Sequence, residues 1–453
     1  MNATRAVERV VVTEGDVQVA SQVGLHLLGD LADRAGLTSA YSAAVPWSGE
    51  RAPGQNRGRL LTQVAVCLAG GGVCVDDVAA LRDQPDLFGE VASAATIWRA
   101  VHQIDAVVLD ALRRARAAAR AKVWEAFAVA AEPETILDVD AALVEVHSAN
   151  KEKAASHFKG GYGFHPMFCF ADATGEALAG ILRPGNAAAN SGADQLAVVD
   201  DAIASLSPAW QAGHHVGDDP SGVQHRIVVR ADTAGAVAEF VTGLVARNVE
   251  FSVGGRVNDQ LSAAIAAVPN DAWRHALDDD GEPRHAGEVA ELDVRIEGWP
   301  AGTRAICRRE KPHPGAQLRL WDTDGWRHQV TLTDSAGDAL DLELRQRRHA
   351  RVENCIKALR DTGLDRMPFR SFAANEVWLE LVLAAADLLA WLRLGCLDGE
   401  LARAEPKTLR YRLLHVAGRI VRRARRVVLR LPANWPWAAE LAGAYRRVAI
   451  LTA

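Results

Sequence analysis

Three acids stand where a carboxylate could do chemistry: Asp140, Asp232 and Glu353. Asp140 ends the run Thr135-Ile136-Leu137-Asp138-Val139-Asp140, in which β-branched and aliphatic residues alternate with acids. Such bulk suits a buried strand, and Pro133 separates the run from the Ala-rich stretch upstream. Asp232 follows a second apolar run, Arg226-Ile227-Val228-Val229-Arg230, and Glu353 falls in a helical stretch over 345–360. A carboxylate inside a strand is expensive unless it is paired or holds a cation. At an exposed strand end it is cheap to keep and well placed to bind a metal. Three carboxylates in one place cannot all stay ionised without a cation. Two Mg²⁺ ions about 3.5–4 Å apart would resolve that and activate a water for in-line attack on a phosphodiester. For Asp138 and Asp140 alone, the plainer reading is that they cap and solvate a strand end. The two later acids shift that balance.

Bringing the acids together is a task for the elements between them. His165–Ala171 and Ala177–Leu182 read as strands joined by the turn Thr174-Gly175-Glu176, making an antiparallel meander with the first strand. A helix over 192–206, the strand 226–230, a helix over 236–246 and a strand over 249–253 follow. Three antiparallel strands, a helix, then strand-helix-strand is the order of a ribonuclease-H-like α/β core. Its first and fourth strands lie side by side, which would join Asp140 to Asp232. Residues 256–335 hold Trp273, Trp299, Trp321 and Trp326 among prolines, glycines and short alternating runs, and read as an inserted, partly β subdomain. A long apolar helix is expected over 372–394.

Before the first acid the chain is helical in pattern, after a strand or arm over 1–15. Leu60–Gly70, the turn Gly71-Gly72 and Val75–Leu81 resemble a helix-turn-helix. Ser93 is an N-cap for the next helix, and Arg113, Arg114, Arg116, Arg120 and Lys122 line a long Ala-rich one. This region reads either as a DNA-binding domain or as an all-helical packing domain.

The net charge of −6 argues against a protein that coats nucleic acid everywhere. The charge is unevenly spread, however: residues 400–453 carry twelve Lys/Arg against Glu400, Glu405 and Glu440. A basic tail on an acidic body implies an anionic partner for the tail. Within it, Arg419, Arg422, Arg423, Arg426 and Arg430 have helical spacing and predict one basic face for DNA phosphates. The six cysteines show no zinc-ligand spacing, which fits free thiols in a reducing cytosol. No signal peptide or membrane-spanning run is read, so a cytoplasmic, nucleoid-associated protein with no membrane partner is expected.

The stretches ILDVDAALVEVHSANKE, FKGGYGFHPMFCFADATGEALAGILRPGNA, VVRADTAGA, RRHARVENCIKALRDTGL and SFAANEVWLELVLAAADLLAW closely resemble DDE transposases of bacterial insertion sequences. The nearest group is insertion-sequence family 1380, within the insertion-sequence-4-like superfamily, and the resemblance covers nearly the whole chain. It implies that Asp140, Asp232 and Glu353 form the catalytic and metal-binding triad, with Asp138 the runner-up for the first acid. It further implies two Mg²⁺ ions, with Mn²⁺ as a substitute. The partners implied are double-stranded DNA, as terminal inverted repeats and target, and a second copy of the chain in a paired-end complex. Relatives carry Tyr, Arg and Lys around the Glu where this chain has Gln346, His349 and Arg360. Arg360 keeps a phosphate-binding cation. His349, one helical turn before Glu353, is expected at a phosphate, with Arg347, Arg348, Arg351 and Lys357 nearby as further DNA contacts.

The expected organisation is a helical DNA-binding region (1–130) and a core in two parts (131–255 and 336–395). The inserted subdomain (256–335) separates these parts, and a basic helical C-terminal region (396–453) follows. The expected activity is metal-dependent cut-and-paste transposition. The alternatives are a related nuclease without strand transfer and a catalytically dead DNA-binding descendant.

Overall fold

Alternating apolar residues make Glu134–Ala141 the strand β1, which turns Leu137 and Val139 to one side of a sheet and Asp138 to the other. The computed structural model describes residues 19–45, 54–129, 134–148, 150–312, 325–423 and 426–451. The arm expected over 1–15 and Trp321 lie outside them.

Beyond β1 come β2 (Val144–Glu145), β3 (Ala155–Ser156) and β4 (Tyr162–Phe164), which pair only with one another in the order β2-β4-β3. Then come β5 (Met167–Ala171), β6 (Ala177–Ile181), β7 (Arg226–Ala231) and β8 (Glu250–Gly255). β5 is antiparallel to β1 and to β6, β7 is parallel to β1, and β8 is parallel to β7. The spatial order β6-β5-β1-β7-β8 is that of a ribonuclease-H-like core. β1 and β7 run side by side with Val139 opposite Ala231, so the next residue on each strand end, Asp140 and Asp232, are neighbours.

The stretch expected as an inserted, partly β subdomain does contain strands. Its strands β9 (Arg274–Leu277), β10 (Pro283–Leu292), β11 (Arg304–Glu310) and β12 (Arg327–Thr333) do not form a sheet of their own. β12 pairs antiparallel with β8, and β11, β10 and β9 continue outward to complete a nine-stranded sheet. An unpaired β8 would expose a row of backbone donors and acceptors, and the insertion covers that edge.

Each face of the sheet buries its own core. On one face Leu137, Val139, Met167, Cys169, Ile227, Val229 and Phe251 pack with the helices Gly192–Ala204 and Ala238–Val245. On the other, Phe168, Phe170 and Ala177 share a core with the helix Phe372–Cys396. That 25-residue helix starts at Ser371, whose hydroxyl accepts from the Ala374 amide, and buries Trp378 and Trp391. Helices from both ends of the chain, including Val23–Arg34, Arg57–Ala69, Ala106–Ala126 and Ala438–Val448, join the same core. The segment likened to a helix-turn-helix pairs the mostly buried helix Arg57–Ala69 with only a 3₁₀ turn and one four-residue helix. Among the described residues no helix is long and apolar enough to cross a membrane, and all six cysteines are free.

A polar cluster lies inside this second core. Arg116 reaches Glu380 at 2.7 Å and Asp387 at 2.8 Å, and Arg120 reaches Asp387 at 2.9 Å and Glu176 at 3.3 Å. The indole nitrogens of Trp124 and Trp391 each donate to Glu176 at 2.7 Å. Arg116 and Arg120, read from sequence among possible DNA contacts, are therefore fully buried structural cations.

The basic run near the end is not a helix. Arg419–Arg423 (β13) and Arg426–Arg430 (β14) pair antiparallel as a two-stranded ribbon. Arginine at 419, 422, 423, 426 and 430 fits helical spacing, but Ile420-Val421 and Val427-Val428 are β-branched pairs, and Ile420 and Leu429 pack onto the core. The helix expected over 345–360 is likewise divided. A helix spans Ala339–Arg347, a 3₁₀ turn spans Arg348–Arg351, and a second helix spans Val352–Asp361.

Candidate active site

At the C-terminal ends of β1 and β7 the chain leaves the sheet and presents its acids. Asp140 is partly buried, and its Oδ1 accepts from the Ala141 amide at 2.7 Å. Asp232 is exposed and caps the turn that follows, its Oδ1 accepting from the Ala234 amide at 2.8 Å. Glu353 is exposed in the first turn of Val352–Asp361.

The Asp140 carboxyl is pushed up to about 6, chiefly by burial and in lesser part by the negative charges of Asp232 and Glu353, against the opposing pull of the Ala141 amide and His349. Among the described residues none of the three forms a salt bridge, and no group of three His, Cys, Asp or Glu side chains is gathered closely enough to hold a metal ion. Each of Asp140, Asp232 and Glu353 offers carboxylate oxygens, the donor chemistry that a hard divalent cation takes.

Asp138 has a different environment. It is 2% exposed and accepts a fork from Arg230, Nε to Oδ1 at 2.8 Å and Nη2 to Oδ2 at 2.6 Å. The His349 Nδ1 lies 2.7 Å from Oδ1. Burial opposes ionisation of Asp138, but the bonds from His349 and Arg230 hold it below its ordinary value. Its oxygens are already committed, whereas Asp140 accepts from the Ala141 amide alone among the described hydrogen bonds. His349, expected at a phosphate, is 7% exposed and turned inward onto Asp138.

The remaining expected contacts fall into three groups. Arg348 and Arg351 both approach Asp279 in the turn between β9 and β10, at 3.3 and 3.5 Å. Arg347 hydrogen-bonds the Leu277 carbonyl of the same turn. Lys357, one helical turn beyond Glu353, pairs with Glu405 at 2.7 Å, while Arg360 binds Asp365 and, at 2.9 Å, the Leu143 carbonyl just beyond β1. Arg419 and Arg422 are exposed on the ribbon, with Arg422 ion-paired to Asp86. The strand register sets Arg423 opposite Arg426, although their side chains lie outside the described part.

Sequence reasoning missed Arg230, which is 0% exposed and also reaches Asp172 at 2.7 Å. An arginine inside an apolar strand run is rarely buried unless paired, and Asp138 at the matching place on β1 was the available signal.

The family profile of the transposase DDE domain, group 1, matches residues 3–453. No curated protein matches the chain. Among solved structures, the chain is similar to the piggyBac transposase in its synaptic complex with hairpin DNA. They share 10% identity over 81% of this chain and 75% of that one, with a TM-score of 0.37, too slight a likeness to build on.

Proposed function

The chain belongs to the group 1 transposase DDE domain family, and from that premise we propose that it excises and inserts an insertion sequence by cut-and-paste transposition. The resemblance to insertion-sequence family 1380 makes a bacterial element the expected substrate. The observation that carries the reading is the set of three unpaired acids, two on adjacent parallel strand ends and one on a helix, close enough to raise the Asp140 pKa.

Asp140, Asp232 and Glu353 would hold the divalent cation, Mg²⁺ with Mn²⁺ as a substitute. When bound it supplies charge for the phosphodiester and lowers the pKa of the attacking hydroxyl or water. The chain's own residues do the rest. The strand ends and the 3₁₀ turn fix the acids on three separate backbone segments. Asp138, already occupied by Arg230 and His349, is withdrawn from that set. Arg348 and Arg351, near Glu353, are positioned for DNA phosphates once Asp279 gives way. The ribbon adds sequence-independent phosphate contacts from Arg419, Arg422, Arg423 and Arg426. Terminal-repeat and target DNA are the proposed partners, engaged by two copies of the chain.

The test is cleavage and strand transfer on a DNA carrying the element's terminal repeats. Asp140→Ala, Asp232→Ala and Glu353→Ala should each abolish cleavage and leave repeat binding intact. Retained cleavage in any one removes that residue from the triad. Cleavage without joined product would identify the nuclease alternative. No cleavage by the unaltered chain would identify a DNA-binding descendant.

A further inference from the structure

Gln346 and His349 precede Glu353 on the chain, and both are joined to the sheet rather than turned outward. The Gln346 carboxamide donates to the Ala231 carbonyl at 2.8 Å, on the residue just before Asp232. The His349 Nδ1 meets Asp138, two residues before Asp140. That carboxylate also accepts the fork from Arg230, so Nδ1 is the donor in the contact. Arg230, two residues before Asp232, completes the set. One guanidinium binds Asp138 through Nε and Nη2 and the Arg345 carbonyl through Nη1 at 2.6 Å. The segment that ends in Glu353 is therefore fastened to β1 and to β7, each time within two residues of another acid. The 3₁₀ turn Arg348–Arg351 accommodates this by changing the helix pitch where His349 turns in.

We infer that Gln346 and His349 are positioning residues, which set the spacing between Glu353 and the acids at the two strand ends and do not contact DNA. The inference rests on the proposed triad. Buried hydrogen bonds behind a ligand set fix its orientation, and removing one from an ion site typically costs about 10–100-fold. The phosphate-contact alternative predicts the opposite response to arginine. At position 349 it would restore a DNA contact, whereas here it would bring a second guanidinium against Arg230 in a buried space.

The experiment compares His349→Ala, His349→Asn, His349→Arg and Gln346→Glu with the unaltered chain, well below the melting temperature of each. Single-turnover cleavage at saturating DNA, DNA affinity and Mn²⁺ binding without DNA are the readouts. Asparagine places a carboxamide N–H near the position of the missing Nδ1 and should recover most of the activity. His349→Ala, His349→Arg and Gln346→Glu should cleave about 10–100-fold more slowly, with unchanged DNA affinity and weakened Mn²⁺ binding. Should His349→Ala fail to fold, the asparagine, arginine and glutamate variants decide. Wild-type rates in His349→Arg and Gln346→Glu would overturn the inference, as would a defect confined to DNA affinity. Glu353→Ala separates the two readings, since retained cleavage there defeats the triad itself. Its inactivity beside normal His349 and Gln346 variants defeats only the positioning role.

Discussion

Two clusters of acids lie at opposite ends of the same electrostatic choice. Around Arg116 and Arg120, the acids Glu176, Glu380 and Asp387 are fully buried, and each meets a guanidinium within 3.3 Å. At the two strand ends and the helix beside them, Asp140, Asp232 and Glu353 meet no cation of the protein's own among the described residues, and burial and the neighbouring acids push Asp140 up to about 6. The first cluster joins the N-terminal helices to the long helix. The second leaves its charge for something that binds. On the proposed reading, carboxylates of similar chemistry divide into structural and functional by whether the fold supplies the counter-charge.

Removing that counter-charge from the buried cluster should have the largest effect. Arg116→Met leaves Glu380 and Asp387 short of a partner and should cost about 3–5 kcal/mol in denaturant unfolding. A change below about 1 kcal/mol would mean that the cluster is hydrated and not structural.

The open cluster should respond with the opposite sign. Between the ordinary 3.8 and about 6, the folded chain holds the Asp140 proton more tightly than the unfolded chain does. Ionisation of Asp140 therefore weakens the fold as pH rises through that window, and the full penalty stands above it. In metal-free buffer Asp140→Asn should stabilise the protein by about 1–3 kcal/mol at pH 8, with the gain vanishing near pH 4. Divalent metal should raise the melting temperature of the unaltered chain at pH 8 and not that of the variant. Destabilisation by Asn at pH 8 would break the contrast.

The ribbon sharpens the comparison from the cationic side. Arg419 lies directly opposite Arg430 across its two strands, and like charges so placed repel. An anionic partner relieves this. Replacing both with Ala should reduce the slope of log affinity against log salt by roughly 0.9 for each phosphate no longer neutralised, for all duplexes alike. The smallest effect is expected at Asp279, which is exposed and holds Arg348 and Arg351. Because exposed pairs are worth about 0–1 kcal/mol, Asp279→Asn should tighten DNA binding no more than a few-fold.

What the sequence disclosed follows the range of the forces involved. The strands of β1 and β5 to β8 and the convergence of Asp140 with Asp232 were legible because period-two patterns and turns are local. The ribbon was not, because arginines at 419, 422, 423, 426 and 430 satisfy a helix and a strand equally, and only packing of Ile420 and Leu429 decides. The buried cations were hidden for another reason. Arg116 and Arg120 are one helical turn apart, and Glu380 and Asp387 two turns apart, on helices that nothing local declares to be neighbours. The inward turn of His349 depended likewise on Asp138, a partner 211 positions away.

The central claim is that the unpaired acids are a cation site. Mn²⁺ binding to the whole chain without DNA, followed by electron paramagnetic resonance, tests it most directly. The account predicts saturable binding at pH 8 that is abolished or greatly weakened in Asp140→Asn, Asp232→Asn and Glu353→Gln, and unchanged in Asp279→Asn. Equal binding by the unaltered chain and the three triad variants would contradict it.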